Sequence, residues 1–157
     1  MLILQGGHAL SSFRTQSLIT RAKGIGIDIH DLTCTYLFFV MGEIRDANKL
    51  EQLLDAKPVT VDSGFVVLPR SGTTSPWSSK ATDIAKNCGF ASVSRIERGM
   101  HVVVSGSVSD AERVLLNGLI SDPMMEDVLL DLPTDAFFTP GEPEPLGIVE
   151  LGSDPVG

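Results

Sequence analysis

Hydrophobic positions along the chain follow two spacings in turn, which predicts alternating strands and helices. The run from Ile27 to Met41 is rich in β-branched and aromatic residues and predicts a long strand, and the run from Val93 to Val104 predicts a second one. Alternate residues of both runs are apolar, as expected where a sheet buries one face. Shorter strands are predicted over residues 2–4, 59–61, 65–68 and 124–130.

Helix starts and stops lie between these strands. Polar residues that can cap a helix precede the helical stretches, and glycine or proline follows them. Ser109 followed by Glu112 has the form of a capping box. The predicted helices run to about residues 23, 56, 87 and 119, and their caps are Ser11 or Ser12, Asp46, Ser78 or Ser79, and Ser109, with Gly89 ending the third.

The same order of elements occurs twice, at an offset of 64 residues. Sequence identity between the halves is low, so the prediction of a repeat rests on the matching order of strand breaks and helix caps. It indicates a duplication, with repeats over residues 1–62 and 65–130. Matched positions include Leu4 with Leu68, Ser11 with Ser75, Phe13 with Trp77, Val40 with Val104, and Gly42 with Gly106.

The long strands are apolar on both faces, since Leu37 and Phe39 alternate with Phe38 and Val40. A sheet with two apolar faces must be covered on both. We therefore expect the two half-sheets to cover each other, with the helices of each half outside. This predicts an α+β fold, a pseudo-dimer of duplicated ferredoxin-like βαββαβ units with antiparallel sheets and helices on the outer faces. Phe13 and Trp77 are then expected to fill equivalent core positions.

Charge is unevenly distributed along the chain. The net charge is −8, and residues 121–157 carry nine acidic side chains and no Lys or Arg. Prolines and glycines are frequent after residue 132, so we expect an S-subunit-like domain over residues 1–132 and the start of an acidic linker over residues 133–157. A basic stripe is absent, which argues against a nucleic-acid partner. The longest apolar run, Tyr36 to Met41, is too short to cross a bilayer, so we expect no membrane partner and a cytoplasmic location.

Candidate chemistry is sparse. Cys34 and Cys88 form no CxxC pair, and packing is the expected role of both. His8, His30 and His101 show no metal-ligand spacing. We therefore expect no catalytic residue, cofactor-binding residue or metal site in this chain.

The most unusual segment is the loop over residues 69–80, which is rich in hydroxyl side chains and holds the only tryptophan. It can be a simple loop with a helix cap, or it can bind an anion through Arg70, Lys80 and free backbone N–H groups at the helix start. On the second long strand, Arg95, Glu97 and Arg98 can form an ion cluster or docking patch, and the alternative is a solvated surface.

This loop and the following helix carry a family resemblance. Residues 69–89, PRSGTTSPWSSKATDIAKNCG, resemble a signature of the long single-chain form of phosphoribosylformylglycinamidine synthase. The stretches RIERG at 95–99, ALSSFR at 9–14 and DPMME at 122–126 resemble further motifs of that family, and the last also resembles a motif of the separate small S subunit of the split form. Ser71 and His8 depart from the family, which often has Pro at these positions.

The resemblance implies that the chain is the N-terminal segment of an ATP- and glutamine-dependent ligase of purine biosynthesis, which makes formylglycinamidine ribonucleotide. It implies that ATP and magnesium bind in other domains, and that this segment alone is inactive. The segment is similar to a fused dimer of the S subunit and is expected to dock against the synthetase and glutaminase domains. The candidate contact residues are Arg70, Thr73, Ser75, Trp77, Ser78, Ser79, Lys80, Arg95, Glu97 and Arg98. The alternative function is a small-molecule-binding regulatory module built from paired ferredoxin-like units.

Overall fold

The two long strands pair with each other at the centre of one six-stranded antiparallel sheet. A computed structural model describes residues 1–59, 63–140 and 145 of the chain. In chain order the elements are β1 (Leu2–His8), α1 (Ser12–Gly24), β2 (Ile29–Gly42), α2 (Ala47–Leu54), β3 (Lys57–Pro58), β4 (Phe65–Pro69), α3 (Pro76–Asn87), β5 (Val93–Gly106), α4 (Asp110–Ile120), β6 (Glu126–Leu129) and a short 3-10 helix (Asp135–Phe138).

The predicted helix caps are confirmed at three of the four helices. Ser11, Asp46 and Ser109 each accept a backbone N–H of the following turn, and Ser109 and Glu112 form the capping box. The prediction for α3 was wrong, because its cap is Ser75, three residues before the earlier of the two predicted serines. Pro follows at the first helical position, where its missing N–H costs no hydrogen bond. Of the predicted strand 59–61, residue 59 follows β3 and belongs to no strand, and residues 60 and 61 lie outside the described residues.

We expected the two half-sheets to cover each other, and this prediction was wrong. They join edge to edge, because β2 pairs with β5 in antiparallel register and the strand order is β3-β1-β2-β5-β4-β6. Pairing the two longest strands satisfies their backbone N–H and C=O groups along their length, which stacking would leave open at an edge.

All four helices pack on one face of this sheet, and each cluster of the core combines both halves. Leu32 and Cys34 of β2 pack with residues of α1 and α4. Phe38 and Val40, on the same face of β2, pack with residues of α2 and α3. Each half therefore depends on the other to bury its helices, rather than forming its own core.

Part of the opposite face of the sheet is covered by the chain after β6. Leu37 and Phe39 of β2 are buried there with Phe138, and Phe137 and Leu132 pack against them. Residues 133–139 were expected to begin a linker, yet this stretch contains the buried Pro133 and Phe138. The domain boundary predicted at residue 132 stays a prediction.

The sheet has an approximate two-fold symmetry, which the pairing register reveals. The strand order is symmetric about the β2–β5 contact when β1 corresponds to β4 and β3 to β6. The register shifts at both ends of that contact, where Ile29 pairs with Gly106 and Gly42 pairs with Val93. These pairs are equivalent under the 64-residue offset, so the irregularity itself occurs twice.

Two expected equivalences between the halves were wrong. Leu4 pairs with Phe38 whereas Phe65 pairs with Val102, so Phe65 rather than Leu68 takes the place of Leu4. Leu68 lies in the cluster on the opposite face.

Phe13 is 81% exposed and fills no core position. The buried residues of α1, Ile19 and Ala22, correspond to the buried Thr82 and Ala85 of α3. Their separation along the chain is one residue less than the 64-residue offset of the strands. A shift of one residue rotates a helical side chain by about 100°, which turns Phe13 away from the face that Trp77 uses.

Each half follows the order βαβαβ, with one long strand where a ferredoxin-like unit has two. The structure shows a mixed fold of helices on a six-stranded antiparallel sheet. The ferredoxin-like pseudo-dimer itself is not confirmed.

Candidate functional site

The loop between β4 and α3 is anchored by the carboxylate of Glu97, which is 1% exposed. Glu97 Oε1 accepts a hydrogen bond of 2.6 Å from the Ser75 hydroxyl, and Oε2 accepts one of 3.3 Å from the Ser75 backbone N–H. The anion at the start of α3 is therefore the chain's own carboxylate, whereas an external anion was one of the two alternatives that the sequence left open. Negative charge is favoured at this end of a helix.

Arg95 neutralises this buried carboxylate. Its Nη2 lies 2.8 Å from Glu97 Oε2 and also donates to the carbonyl of Thr73, at 2.7 Å. Nη1 donates to the carbonyl of Phe138, at 3.0 Å. A buried carboxylate requires such a partner, because desolvation without one is costly. Arg95 thus connects the loop, β5 and the C-terminal 3-10 helix.

A chain of hydroxyl groups fastens α3 to the edge of β5. The Ser78 hydroxyl donates to the carbonyl of Ile96 at 2.6 Å, and the Thr82 hydroxyl accepts from the Ile96 backbone N–H at 3.0 Å. Thr82 also donates to the carbonyl of Ser78. These bonds satisfy β5 backbone groups beyond the point where β4 stops pairing with it.

Arg98 lies between two aromatic rings. Its guanidinium carbon is 4.6 Å from the centroid of Tyr36 and 4.6 Å from that of Trp77. Trp77 stacks on Phe38 with centroids 5.8 Å apart. The four side chains come from β2, β5 and the first turn of α3, so the stack fixes the helix relative to the centre of the sheet.

The predicted site residues therefore divide into an internal set and an outer set. Ser75, Ser78, Arg95 and Glu97 hold the loop, together with the Thr73 carbonyl. Buried side chains such as those of Ser78 and Glu97 can act on a partner only through the loop that they position. Trp77 and Arg98 are partly exposed, and the exposed members of the set are Arg70, Thr73, Ser79 and Lys80.

The cysteine side chains and His101 lie outside the loop and its anchors. Cys34 is buried on β2, and burial raises the pKa of its thiol to about 11. Cys88 is exposed at the end of α3, so the packing role expected for it was wrong. His101 Nε2 lies 2.7 Å from the carbonyl oxygen of Ser63. Within residues 1–59, 63–140 and 145, no group of three His, Cys, Asp or Glu side chains is placed to hold a metal ion, and no helix is long and apolar enough to cross a membrane.

Three residues that take part in this site were not predicted from the sequence. In the sequence, Thr82 is an ordinary helix residue and Tyr36 is an ordinary core residue, so nothing indicated that either belongs to the site. Phe138 had one, because two adjacent phenylalanines stand out in a stretch otherwise rich in acidic residues, proline and glycine. The cap at Ser75 was also readable, since Ser followed by Pro is typical of a helix start.

A comparison with protein families matches residues 35–137, from the centre of β2 to the 3-10 helix, to the model described as "Formylglycinamide ribonucleotide amidotransferase N-terminal". The match includes the loop, its anchors Arg95 and Glu97, and the Trp77–Arg98 stack. It covers well over half of the chain and agrees with the resemblance of residues 69–89. The chain belongs to the family of formylglycinamide ribonucleotide amidotransferase N-terminal domains.

Proposed function

We propose that this chain is the non-catalytic docking and coupling domain of phosphoribosylformylglycinamidine synthase, the ligase that makes formylglycinamidine ribonucleotide in purine biosynthesis. Its partners in this proposal are the synthetase and glutaminase domains of the same enzyme. In this proposal ATP and magnesium bind in those other domains, as the family resemblance of residues 69–89 implies. Two free cysteines are typical of a reducing compartment, and we propose a cytoplasmic location.

The observation that carries the docking proposal is the fastening of an exposed loop to the core of the domain. A simple turn does not require a buried Arg95–Glu97 ion pair, yet here that pair holds the backbone at Thr73 and Ser75. Rigid presentation lowers the entropy lost on binding, so a fixed loop makes a better contact surface than a mobile one. Arg70, Ser79 and Lys80 are exposed around it.

The two-fold symmetry supports a fused duplication of an S-subunit-like unit. The repeated βαβαβ order and the twin register shifts at Gly42 and Gly106 both agree with it. Fusion allows the halves to diverge. Glu97 and Arg95 anchor the loop of the second half, whereas the equivalent positions of the first half hold Thr33 and Asp31. We therefore propose that the docking surface is centred on the loop of the second half.

The test compares two activities of the full-length enzyme. Replacing Arg70 and Lys80 together with Ala is expected to lower glutamine-dependent turnover about fivefold or more, corresponding to the loss of ~1 kcal/mol of interface energy. Turnover with free ammonia should stay unchanged, because the synthetase site is intact. The control is Lys86→Ala, which removes an exposed lysine from the last turn of the same helix.

Unchanged values of both activities in the double variant, with the fold intact, would exclude the coupling role. Calorimetry on the 157-residue chain addresses the regulatory alternative. A stoichiometric heat with an amino acid or nucleotide would favour a small-molecule-binding module instead.

A further inference from the structure

We propose that Arg98, held between Tyr36 and Trp77, is the anchor for a carboxylate side chain from a neighbouring domain of the same enzyme. This inference rests on the proposed docking function and adds the chemistry of the contact. The partner is a planar monoanion, the side chain of Asp or Glu, which matches a guanidinium through two parallel hydrogen bonds.

The guanidinium of Arg98 is already oriented for such a contact. Rings on both sides of it, each at 4.6 Å, hold the side chain that would otherwise sample many rotamers. Trp77 is in turn fixed by stacking on Phe38. A held guanidinium loses less entropy on binding than a mobile one.

No described residue accepts a hydrogen bond from this guanidinium. Arg95, two residues earlier, donates to Glu97, Thr73 and Phe138. Arg98 contributes only its backbone N–H, to Glu97 Oε1 at 3.0 Å. Among the described residues, its side chain has no hydrogen-bond acceptor and no carboxylate within 4.0 Å.

In the part of the chain that the structure describes, no guanidinium nitrogen of Arg98 is both fully buried and unpaired. Among the described residues, the buried arginine nitrogen that lacks a partner belongs to Arg95. A partly exposed arginine with free N–H groups can donate hydrogen bonds to an acceptor from a partner.

A carboxylate fits this site better than a phosphate. Phosphate sites at helix starts use several free backbone N–H groups, but here the Ser78 N–H donates to the Ser75 hydroxyl and the Ser79 N–H to the Ser75 carbonyl. Pro76 has no N–H. One guanidinium beside aromatic rings suits a single charge next to apolar groups.

The surface beside Trp77 supplies those apolar groups. A groove of about 390 Å³ lies between α2 and α3, and Trp77 and Lys80 form part of its wall. Leu53 and Ile84 line it with their side chains exposed. We therefore infer a partner segment that places apolar side chains in this groove and its carboxylate on Arg98, with Lys80 adding a second positive charge.

Hydrogen exchange in the full-length enzyme tests this contact. Amides of α3 are expected to exchange more slowly in the full-length enzyme than in the 157-residue chain, because the partner covers them. Arg98→Gln should reduce this extra protection at least about tenfold, as expected when one member of a buried charge pair is removed. Arg98→Lys should restore part of it, and the control Arg113→Gln, an exposed arginine of α4, should retain all of it.

Equal exchange of α3 in the full-length enzyme and in the 157-residue chain would overturn the proposal. So would an effect of Arg98→Gln that is equally large in the 157-residue chain, since it would then arise from the stack alone. A saturable change of Trp77 fluorescence with inorganic phosphate, lost in Arg98→Gln, would identify a phosphate site instead. If Arg98→Gln loses the protection of α3 but retains normal glutamine-dependent turnover, the anchor is supported and the coupling role is excluded. If it retains the protection but loses glutamine-dependent turnover, the coupling role is supported and the anchor is excluded.

Discussion

Tyr36 and Met100 pair backbone to backbone at the centre of the sheet and occupy equivalent positions in the two halves. The approximate two-fold axis therefore passes between them. Because each long strand is the neighbour of the other, and because each helix pair contains one helix from each half, neither half has a core of its own. We expect the described domain to unfold as one cooperative unit.

Loss of the buried carboxylate should destabilise the domain strongly. Glu97→Ala removes the partner of Arg95 and the acceptor for Ser75, and leaves an unpaired charge in a nearly sealed site. The free energy of unfolding, measured by urea titration, is expected to fall by about 3–5 kcal/mol. Glu43→Ala breaks an exposed pair with Arg45 and should cost less than about 1 kcal/mol. Similar losses in both variants would show that the anchor adds nothing.

The twin register shifts should respond alike to the same substitution. Gly42 and Gly106 have φ of 108° and 146°, and a Cβ at Gly106 would lie 2.7 Å from the Asp28 carbonyl oxygen. Alanine at either position should destabilise the domain by more than ~1 kcal/mol, since strain and a backbone clash combine. Gly118→Ala, in the open on α4, should instead stabilise it by about 0.5–1 kcal/mol. Thermal denaturation of the three variants checks the signs.

The thiol of Cys34 should make stability dependent on alkaline pH. Burial raises its pKa from 9.0 to about 11, so the folded state holds the proton more tightly than the unfolded state does. This stabilisation is complete below pH 9 and is lost as the pH rises from 9 to 11, by up to about 3 kcal/mol.

The difference in free energy of unfolding between the wild type and Cys34→Ala should therefore become smaller as the pH rises from 9 to 11. A constant difference between them would contradict the burial effect. In the native state at pH 8, a thiol reagent should modify the exposed Cys88 and leave Cys34 unreacted.

Two phenylalanines distinguish the core from the surface. Phe138→Ala removes a ring that is 5% exposed and packs on Phe39 at 5.4 Å, so it should cost about 3–5 kcal/mol. Phe13→Ala removes a ring that is 81% exposed and should change stability by less than about 0.5 kcal/mol.

A chain ended after residue 132 should lose as much stability as Phe138→Ala or more, because it also lacks Phe137 and the partner of Arg95 Nη1. Wild-type stability in the shortened chain would place the domain boundary at residue 132.

Structural features were predicted correctly from the sequence where the contacts that determine them are close along the chain. The caps at Ser11, Asp46 and Ser109 and the two long strands depend on neighbouring residues and on a simple period, and all were predicted correctly. The cap of α3 was misplaced because several hydroxyl residues compete there, and the choice of Ser75 is secured by Glu97, which lies 22 residues further along.

The sequence by itself determined the repeated order of elements and the family. Tertiary structure decided how the halves meet. Two apolar faces are compatible with stacked half-sheets or with one continuous sheet, and periodicity is identical in both cases. Only the pairing of β2 with β5, and the coverage of the second face by Phe138, distinguish them. The same holds for the candidate docking surface: Arg98, Tyr36 and Trp77 lie far apart in sequence, and packing alone brings the cation between its two rings.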